Sequence, residues 1–168
     1  TRAVADQLLD NYLRTFEGVL RIVHVPSFRA DYERYWQNPD AANDAFVMQM
    51  QLCMALGAVM YDDFFSMRAT AVQWIQEAQL WLMIPPEKSR MTIAAIQIGC
   101  LLILAKSVCG VGPDLTWIAC GSLVRKAMYM GLHRDPSRLG KMTTFRAEIR
   151  RRLWATILEL NLQSAFES

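Results

Sequence analysis

Apolar residues recur every three or four positions along most of this chain, and this spacing limits the secondary structure it can adopt. An α-helix turns once every 3.6 residues, so such spacing gathers apolar side chains on one face. No segment alternates with the period of two that a half-buried strand requires. The sequence therefore predicts an all-α fold of about seven helices with no sheet. The first helix illustrates the pattern with Leu8, Leu9, Tyr12, Leu13, Phe16, Val19, Leu20 and Val23.

Prolines, glycines and capping residues divide the chain into these helices. Pro26 is expected to end the first helix and Pro85-Pro86 the fourth, since proline disfavours helical geometry in the residue before it. Asp114 is expected to cap the sixth helix, and Gly131 to end it in a left-handed conformation. Helices three and four, and then five and six, have similar lengths, which predicts stacked antiparallel hairpins. The predicted helices cover residues 4–23, 27–36, 43–60, 67–82, 91–105, 114–130 and 144–165.

The chain has 168 residues, which suits one domain, and its apolar share is 53%. Because soluble domains usually have about 45–50%, either the core is unusually large or an apolar surface is covered by further chain or a partner, and we favour the second explanation. We predict one helical domain over residues 1–168, cut from a longer protein and continuing past the C-terminal end. The segment from Met91 to Ala105 is shorter than the roughly 20 residues of a membrane span, so no membrane association is expected. Two apolar rows predict that the seventh helix is covered on two sides: Ile149, Leu153, Ile157 and Leu160, and Trp154, Leu158 and Leu162.

The sequence contains no recognisable set of catalytic or metal-binding residues. The two histidines, His24 and His133, lie far apart, and no zinc-protease or nucleophile-turn motif is present. The four cysteines form no Cys-x-x-Cys pair, and Cys53 and Cys100 lie in apolar helical runs. This pattern indicates reduced, buried thiols. We therefore predict no catalysis, and no metal or cofactor bound by this chain.

The aromatic residues leave two interpretations open. The chain has five tryptophans and ten methionines, and methionine adapts to irregular spaces. Trp74, Trp81 and Trp117 either pack in the core, as aromatic stripes on helices usually do, or line a pocket for an apolar ligand.

Basic residues cluster around the start of the seventh helix although the net charge is only +2. Arginines near a helix start oppose the helix dipole and need compensation. Glu148 lies close to the first turn, and Asp135 can receive an arginine from the helix. We therefore predict a structural ion-pair network between helices six and seven, in which Asp135 receives an arginine, rather than contacts to DNA phosphates. The cluster comprises Arg125, Lys126, Arg134, Arg138, Lys141, Arg146, Arg150, Arg151 and Arg152.

Three motifs in this order carry a family resemblance. The first is the turn His24-Val25-Pro26-Ser27-Phe28, and the second is Gly131-Leu132-His133-Arg134-Asp135, preceded by Gly112, Trp117, Gly121 and Ala127. The third joins Glu148 to Arg150-Arg151-Arg152-Leu153-Trp154. With these motifs the chain resembles the middle homology region, or fungal-specific transcription factor domain, of fungal binuclear zinc-cluster regulators. We take the second and third motifs as structural: Gly131, Leu132, His133, Arg134, Asp135, Glu148, Arg151, Arg152 and Trp154.

The resemblance implies an all-helical regulatory domain of a nuclear transcription factor. DNA and zinc would then be bound by a six-cysteine cluster upstream in the parent protein, which this chain lacks. Expected partners are other regions of the same transcription factor or coregulator proteins, and a small-molecule inducer in some members. Two alternatives stay open, namely a helical scaffold or assembly domain of the kinetochore kind and a small-molecule-sensing domain without catalysis.

Overall fold

A computed structural model describes residues 1–84 and 88–167, and these contain seven α-helices and no β-strand. The predicted all-α fold of seven helices is therefore confirmed, while the break expected at Pro85-Pro86 lies outside the described residues. The helices are α1 (Arg2–Leu20), α2 (Val25–Gln37), α3 (Asp44–Ala58), α4 (Arg68–Met83), α5 (Ile93–Val108), α6 (Thr116–Tyr129) and α7 (Thr144–Glu167).

Helices α3 and α5 pack against each other at the centre of the molecule. Helices α1 and α4 cover α3, and α6 and α7 cover α5. Residues 52–58 of α3 and 98–105 of α5 are buried without interruption. A helix enclosed on all sides needs no polar face, which explains why these two segments lack a polar stripe. The apolar run that resembles a membrane span in sequence is thus the central helix of the core.

Helix α1 crosses α3 at a point where the two backbones nearly touch. A Cβ atom added to Gly57 would lie 1.8 Å from the carbonyl oxygen of Leu8, so only glycine fits there. The Asn11 side chain crosses the same point and donates from Nδ2 to the carbonyl of Gly57 at 3.2 Å. Tyr12, which lies one turn after Leu8 on α1, is completely buried. This close approach brings the middle of α1 into the core.

The end of α1 and the starts of α2 and α6 differ from the expected ones. Helix α1 ends at Leu20, because Arg21 adopts a left-handed conformation with φ of 51°. Pro26 therefore does not terminate α1 but lies in the first turn of α2, where proline is tolerated because its missing N–H has no helical partner. Asp114 lies within a short 3-10 turn before α6, and no side chain caps that helix.

Helix α7 is covered on one of its two apolar rows. Ile149, Leu153, Ile157 and Leu160 are buried against the core as predicted. In the second row Trp154 is partly buried, but Leu158 and Leu162 are 44% and 53% exposed, so the prediction of cover on two sides is wrong for this row. The exposed part of that row faces away from the packed helices.

The backbone contact at Gly57 gives a direct test of the packing. We expect Gly57→Ala to lower the free energy of unfolding by about 1–3 kcal/mol, since the new methyl group forces α1 and α3 apart. Gly18→Ala is the matched control, because nothing lies within 4 Å of a Cβ there and alanine favours the helix. Urea unfolding of both variants measures the difference. Equal stability of the two would contradict this packing.

Candidate functional site

The turn after α6 is a helix-ending motif made by Gly131 and Leu132. The N–H of Gly131 donates to the carbonyl of Met128, and the N–H of Leu132 to that of Ala127, both at 2.9 Å. Gly131 has φ of 75°, a left-handed conformation that glycine adopts without a steric penalty, and Leu132 is buried. The predicted end of the sixth helix at Gly131 is confirmed. The backbone N–H of Arg134 also donates within this turn, to the carbonyl of Gly131 at 3.1 Å.

The three consecutive arginines of α7 bind different partners. Arg150 donates from Nη2 to the backbone carbonyl of Met130 at 2.6 Å, and so holds the end of α6. Arg152 donates from Nη2 to the backbone carbonyl of Arg21 at 3.3 Å, beyond the end of α1. Two of the three thus bind backbone carbonyl groups rather than carboxylates.

The remaining arginine, Arg151, forms the ion pairs. Its Nη2 lies 3.3 Å from Oδ1 of Asp135, and its Nη1 lies 3.9 Å from Oε2 of Glu148. About half of each of these side chains is exposed, so water screens the charges. An ion pair between Asp135 and an arginine of α7 therefore exists as predicted, and neither of its side chains is desolvated. Helices α6 and α7 are joined more firmly by Arg150.

Asp135 also organises its own turn. Its Oδ1 accepts from the N–H of Ser137 at 3.1 Å and caps the short 3-10 turn Pro136–Arg138. The bonds from Ser137 hold the pKa of this carboxyl below its usual range, and Arg151 adds to the effect. Close by, the exposed ring of His133 lies 6.0 Å from that of Trp154. The structure thus brings the motif residues of this connection together against α7.

Glu17, which no sequence pattern singled out, holds the turn that follows α1. Glu17 is only 4% exposed, although glutamate is ionisable and is rarely buried in proteins. Its Oε2 accepts from the hydroxyl of Tyr12 at 2.6 Å and from the N–H of Ile22 at 3.1 Å, while Oε1 accepts from the N–H of Val23 at 3.1 Å. Burial raises the pKa of Glu17, and these hydrogen bonds oppose that rise.

The carbonyl groups of the same turn are bound by other helices. Thr156 of α7 donates from its hydroxyl to the carbonyl of Leu20 at 2.5 Å, and Gln97 of α5 donates from Nε2 to that of Ile22 at 3.0 Å. With Arg152 on the carbonyl of Arg21, three successive carbonyls receive side-chain donors. We call residues 20–23 with Glu17 the α1 junction. It fixes α7 against the end of α1 and against α5.

The three tryptophans proposed for a ligand pocket lie on two different helices. Trp74 and Trp81 lie on α4 and are partly buried, and the guanidinium of Arg90 stacks on Trp81 at 3.6 Å from the ring centroid. Trp117 lies on α6 with 56% of its surface exposed. None of the three lines the groove between α1 and α2 or the groove that α2, α3, α5 and α7 form. Their role in ligand binding stays a prediction.

A groove of about 720 Å³ lies between α2, α3 and the starts of α5 and α7. His24 lies at its edge, where Nδ1 is 2.9 Å from the Ser27 hydroxyl and the ring meets Phe145 edge-on with centroids 4.6 Å apart. Within the groove, Gln49 donates from Nε2 to Gln97 at 3.0 Å. The sequence did not reveal this groove because its walls come from four separate helices. Its aromatic lining comes from Phe28, Tyr35, Phe46 and Phe145.

The ionisable groups of the described residues show no arrangement typical of a reaction centre. All four cysteines are buried, and burial raises the pKa of each thiol, to about 11 for Cys109. Protonated thiols are poor nucleophiles. Residues 1–84 and 88–167 contain no group of three or more histidine, cysteine, aspartate or glutamate residues placed to hold a metal ion. None of their helices is both long and apolar enough to cross a membrane.

The fold and the junction define a class of protein, a domain built from packed α-helices. Among known proteins the chain is similar to transcription factor opdR of Penicillium oxalicum, with 43% identity over the whole chain and 21% of that protein. It is equally similar to transcription factor lepE of Aspergillus flavus, with 43% identity over the whole chain and 21% of the relative. The aspyridones cluster regulator apdR of Emericella nidulans is 34% identical over 80% of the chain and 18% of its own length. No solved structure matches.

A sequence profile described as "Fungal specific transcription factor domain" matches residues 9–166. The chain therefore belongs to the fungal-specific transcription factor domain family, as its motifs indicated. It spans about a fifth of the length of the relatives it matches.

The three arginines of α7 provide an internal comparison. We expect Arg150→Ala and Arg152→Ala each to lower the free energy of unfolding by about 1–3 kcal/mol, since each removes a charged donor from a backbone carbonyl at a helix end. Arg151→Ala should change stability far less, because its ion pairs are exposed. Thermal unfolding of the three variants measures this order. A larger loss for Arg151→Ala than for the other two would show that the ion pair, not carbonyl binding, joins the helices.

Proposed function

We propose that this domain is a regulatory and interaction domain of a fungal zinc-cluster transcription factor, and that it contributes to regulation of DNA-templated transcription. The observation that carries the proposal is the family match over residues 9–166, which spans nearly the whole chain. Relatives named as transcription factors at 43% identity support it. The relative named as an aspyridones cluster regulator extends the proposal to control of a gene cluster.

Within the parent protein, we assign DNA and zinc binding to an upstream six-cysteine cluster and action to the nucleus. Residues 1–168 form one helical regulatory domain in this proposal, with more of the domain beyond the C-terminal end. The domain itself has no catalytic role and binds no cofactor. The buried, protonated thiols support the assignment of zinc to another part of the protein.

The partners we propose are other regions of the same transcription factor or coregulator proteins. Exposed apolar side chains on the outer helices support this, because such groups are suited to contact with another protein. The motif residues Gly131 to Asp135, Glu148, Arg151, Arg152 and Trp154 then serve to hold the surface in shape, as their contacts within the chain suggest. The exposed apolar groups of α6 and α7 include Trp117, Ile118, Leu158, Leu162 and Phe166.

A transcriptional reporter in the full-length protein tests the proposal. We expect deletion of residues 9–166 to change transcription from a target promoter while occupancy of that promoter, measured by chromatin immunoprecipitation, stays the same. Gly57→Ala should act in the same direction because it disrupts the core, and Gly18→Ala is its matched control.

Other outcomes separate the alternatives. Unchanged transcription after the deletion would contradict the proposal and favour a scaffold or assembly domain. A response that requires an added apolar compound would favour the small-molecule-sensing alternative. Absence of a six-cysteine cluster from the parent gene would contradict the assignment of DNA binding.

A further inference from the structure

Positive charge is concentrated at one end of the hairpin formed by α6 and α7. Residues 115–158 hold nine of the chain's eighteen lysines and arginines but only two of its sixteen acidic residues. The rest of the chain therefore carries more acidic than basic residues, and the net charge of +2 conceals the separation. Such a separation creates a local positive potential that attracts a negatively charged partner.

Most of these basic residues are not used to hold the fold. Arg150 and Arg152 bind backbone carbonyls, and Arg151 binds the two carboxylates of this segment. None of the other six pairs with a carboxylate of the described residues, and all six are exposed. We call these six the basic surface: Arg125, Lys126, Arg134, Arg138, Lys141 and Arg146.

The basic surface lies at a single end of the molecule because α6 and α7 run antiparallel. Near the opposite end, Sγ of Cys120 contacts the carbonyl of Leu160 at 3.6 Å, while at this end Arg150 binds the carbonyl of Met130. The last turns of α6, the connection and the first turn of α7 therefore adjoin one another. The six side chains come from these three segments.

Apolar side chains are exposed within the same segments. Met128 is 45% exposed, Tyr129 is 71% exposed and Phe145 is 51% exposed. Phe145 also forms part of the wall of the 720 Å³ groove and contacts His24 there, so the basic surface continues into an aromatic groove. A partner that matches this region must offer negative charge and apolar side chains together.

We propose that the basic surface, with Met128, Tyr129 and Phe145, binds an acidic polypeptide segment that also carries apolar side chains. Carboxylates of the segment pair with the basic residues, and its apolar side chains bury against Tyr129, Phe145 and the mouth of the groove. DNA matches the charge but not the exposed aromatic groups, because its backbone offers phosphates only. The inference rests on the proposed function as a regulatory domain, and it adds the chemistry of the partner.

A binding assay with the full chain tests this directly. The probe is a fluorescent peptide of Asp and Glu interspersed with Leu and Phe, and binding is followed by anisotropy at low and high salt. A second peptide has Ser in place of Leu and Phe, and a DNA duplex competes. We expect the acidic apolar peptide to bind, to weaken as salt rises because the charges are screened, and to bind more tightly than the Ser peptide.

Two double variants locate the binding. Arg125→Glu with Lys126→Glu reverses charge on the basic surface, whereas Arg14→Glu with Arg29→Glu makes the same change of charge on α1 and α2, where both residues are exposed. We expect at least about tenfold weaker binding for the first pair and about twofold or less for the second. Arg138→Glu with Lys141→Glu repeats the test on the connection should the first pair fail to fold. Circular dichroism melting verifies the fold of each variant.

Several results would overturn the inference. Absence of binding at low salt, equal losses in the surface and control pairs, or equal binding of the Ser peptide would each contradict it. Tighter binding of the duplex, with the same dependence on Arg125 and Lys126, would identify a nucleic-acid surface instead. These outcomes are independent of the reporter assay, so either hypothesis can fail without the other.

Discussion

The structure depends on a buried carboxylate at the point where the chain leaves α1. Glu17 accepts hydrogen bonds from the N–H groups of Ile22 and Val23, which would otherwise be buried without partners. The carbonyl groups of residues 20–22 in the same turn accept hydrogen bonds from side chains of α5 and α7. Because α7 contributes both Thr156 and Arg152 to these carbonyls, the last helix is fixed against the end of the first. The sharp reversal after α1 and the position of α7 are therefore parts of one hydrogen-bond network.

This arrangement divides the work of α7 between its faces. One face packs in the core and binds the α1 junction, and Arg150 holds the end of α6. The outer face does not pack in the core. It presents the exposed apolar row and part of the basic surface. A rigid helix with uncommitted charge and apolar groups on its outside is suited to recognition, because few side chains must be ordered on binding. The family assignment and this surface both support our proposal that the domain acts by contact with other proteins.

The sequence predicted those features of the fold that depend on residues close together along the chain. The helices followed from apolar spacing, and the end of α6 followed from Gly131, since a helix end needs a residue that accepts positive φ. The burial of Glu17 could not be foreseen, because Glu17 holds a turn that also depends on distant contacts: Thr156 of α7 donates to the carbonyl of Leu20, 136 residues away along the chain. The positions of the three arginines of α7 were evident, but two of them bind backbone carbonyl groups. Because every residue has a carbonyl group, no sequence pattern identifies these partners. The prediction that Pro26 ends α1 is wrong because proline is compatible both with the end of one helix and with the first turn of the next.

The most direct test of this account is the stability of Glu17→Ala. The substitution leaves two buried N–H groups and the hydroxyl of Tyr12 without their acceptor, so we expect a loss of about 2–5 kcal/mol in the free energy of unfolding. Hydrogen exchange should show that amides of α7 lose protection together with those of the α1 junction. Glu159→Ala, which removes an exposed carboxylate from α7, should have little effect. Unchanged stability of Glu17→Ala, or undisturbed protection of α7, would contradict the claim that this carboxylate fixes the last helix.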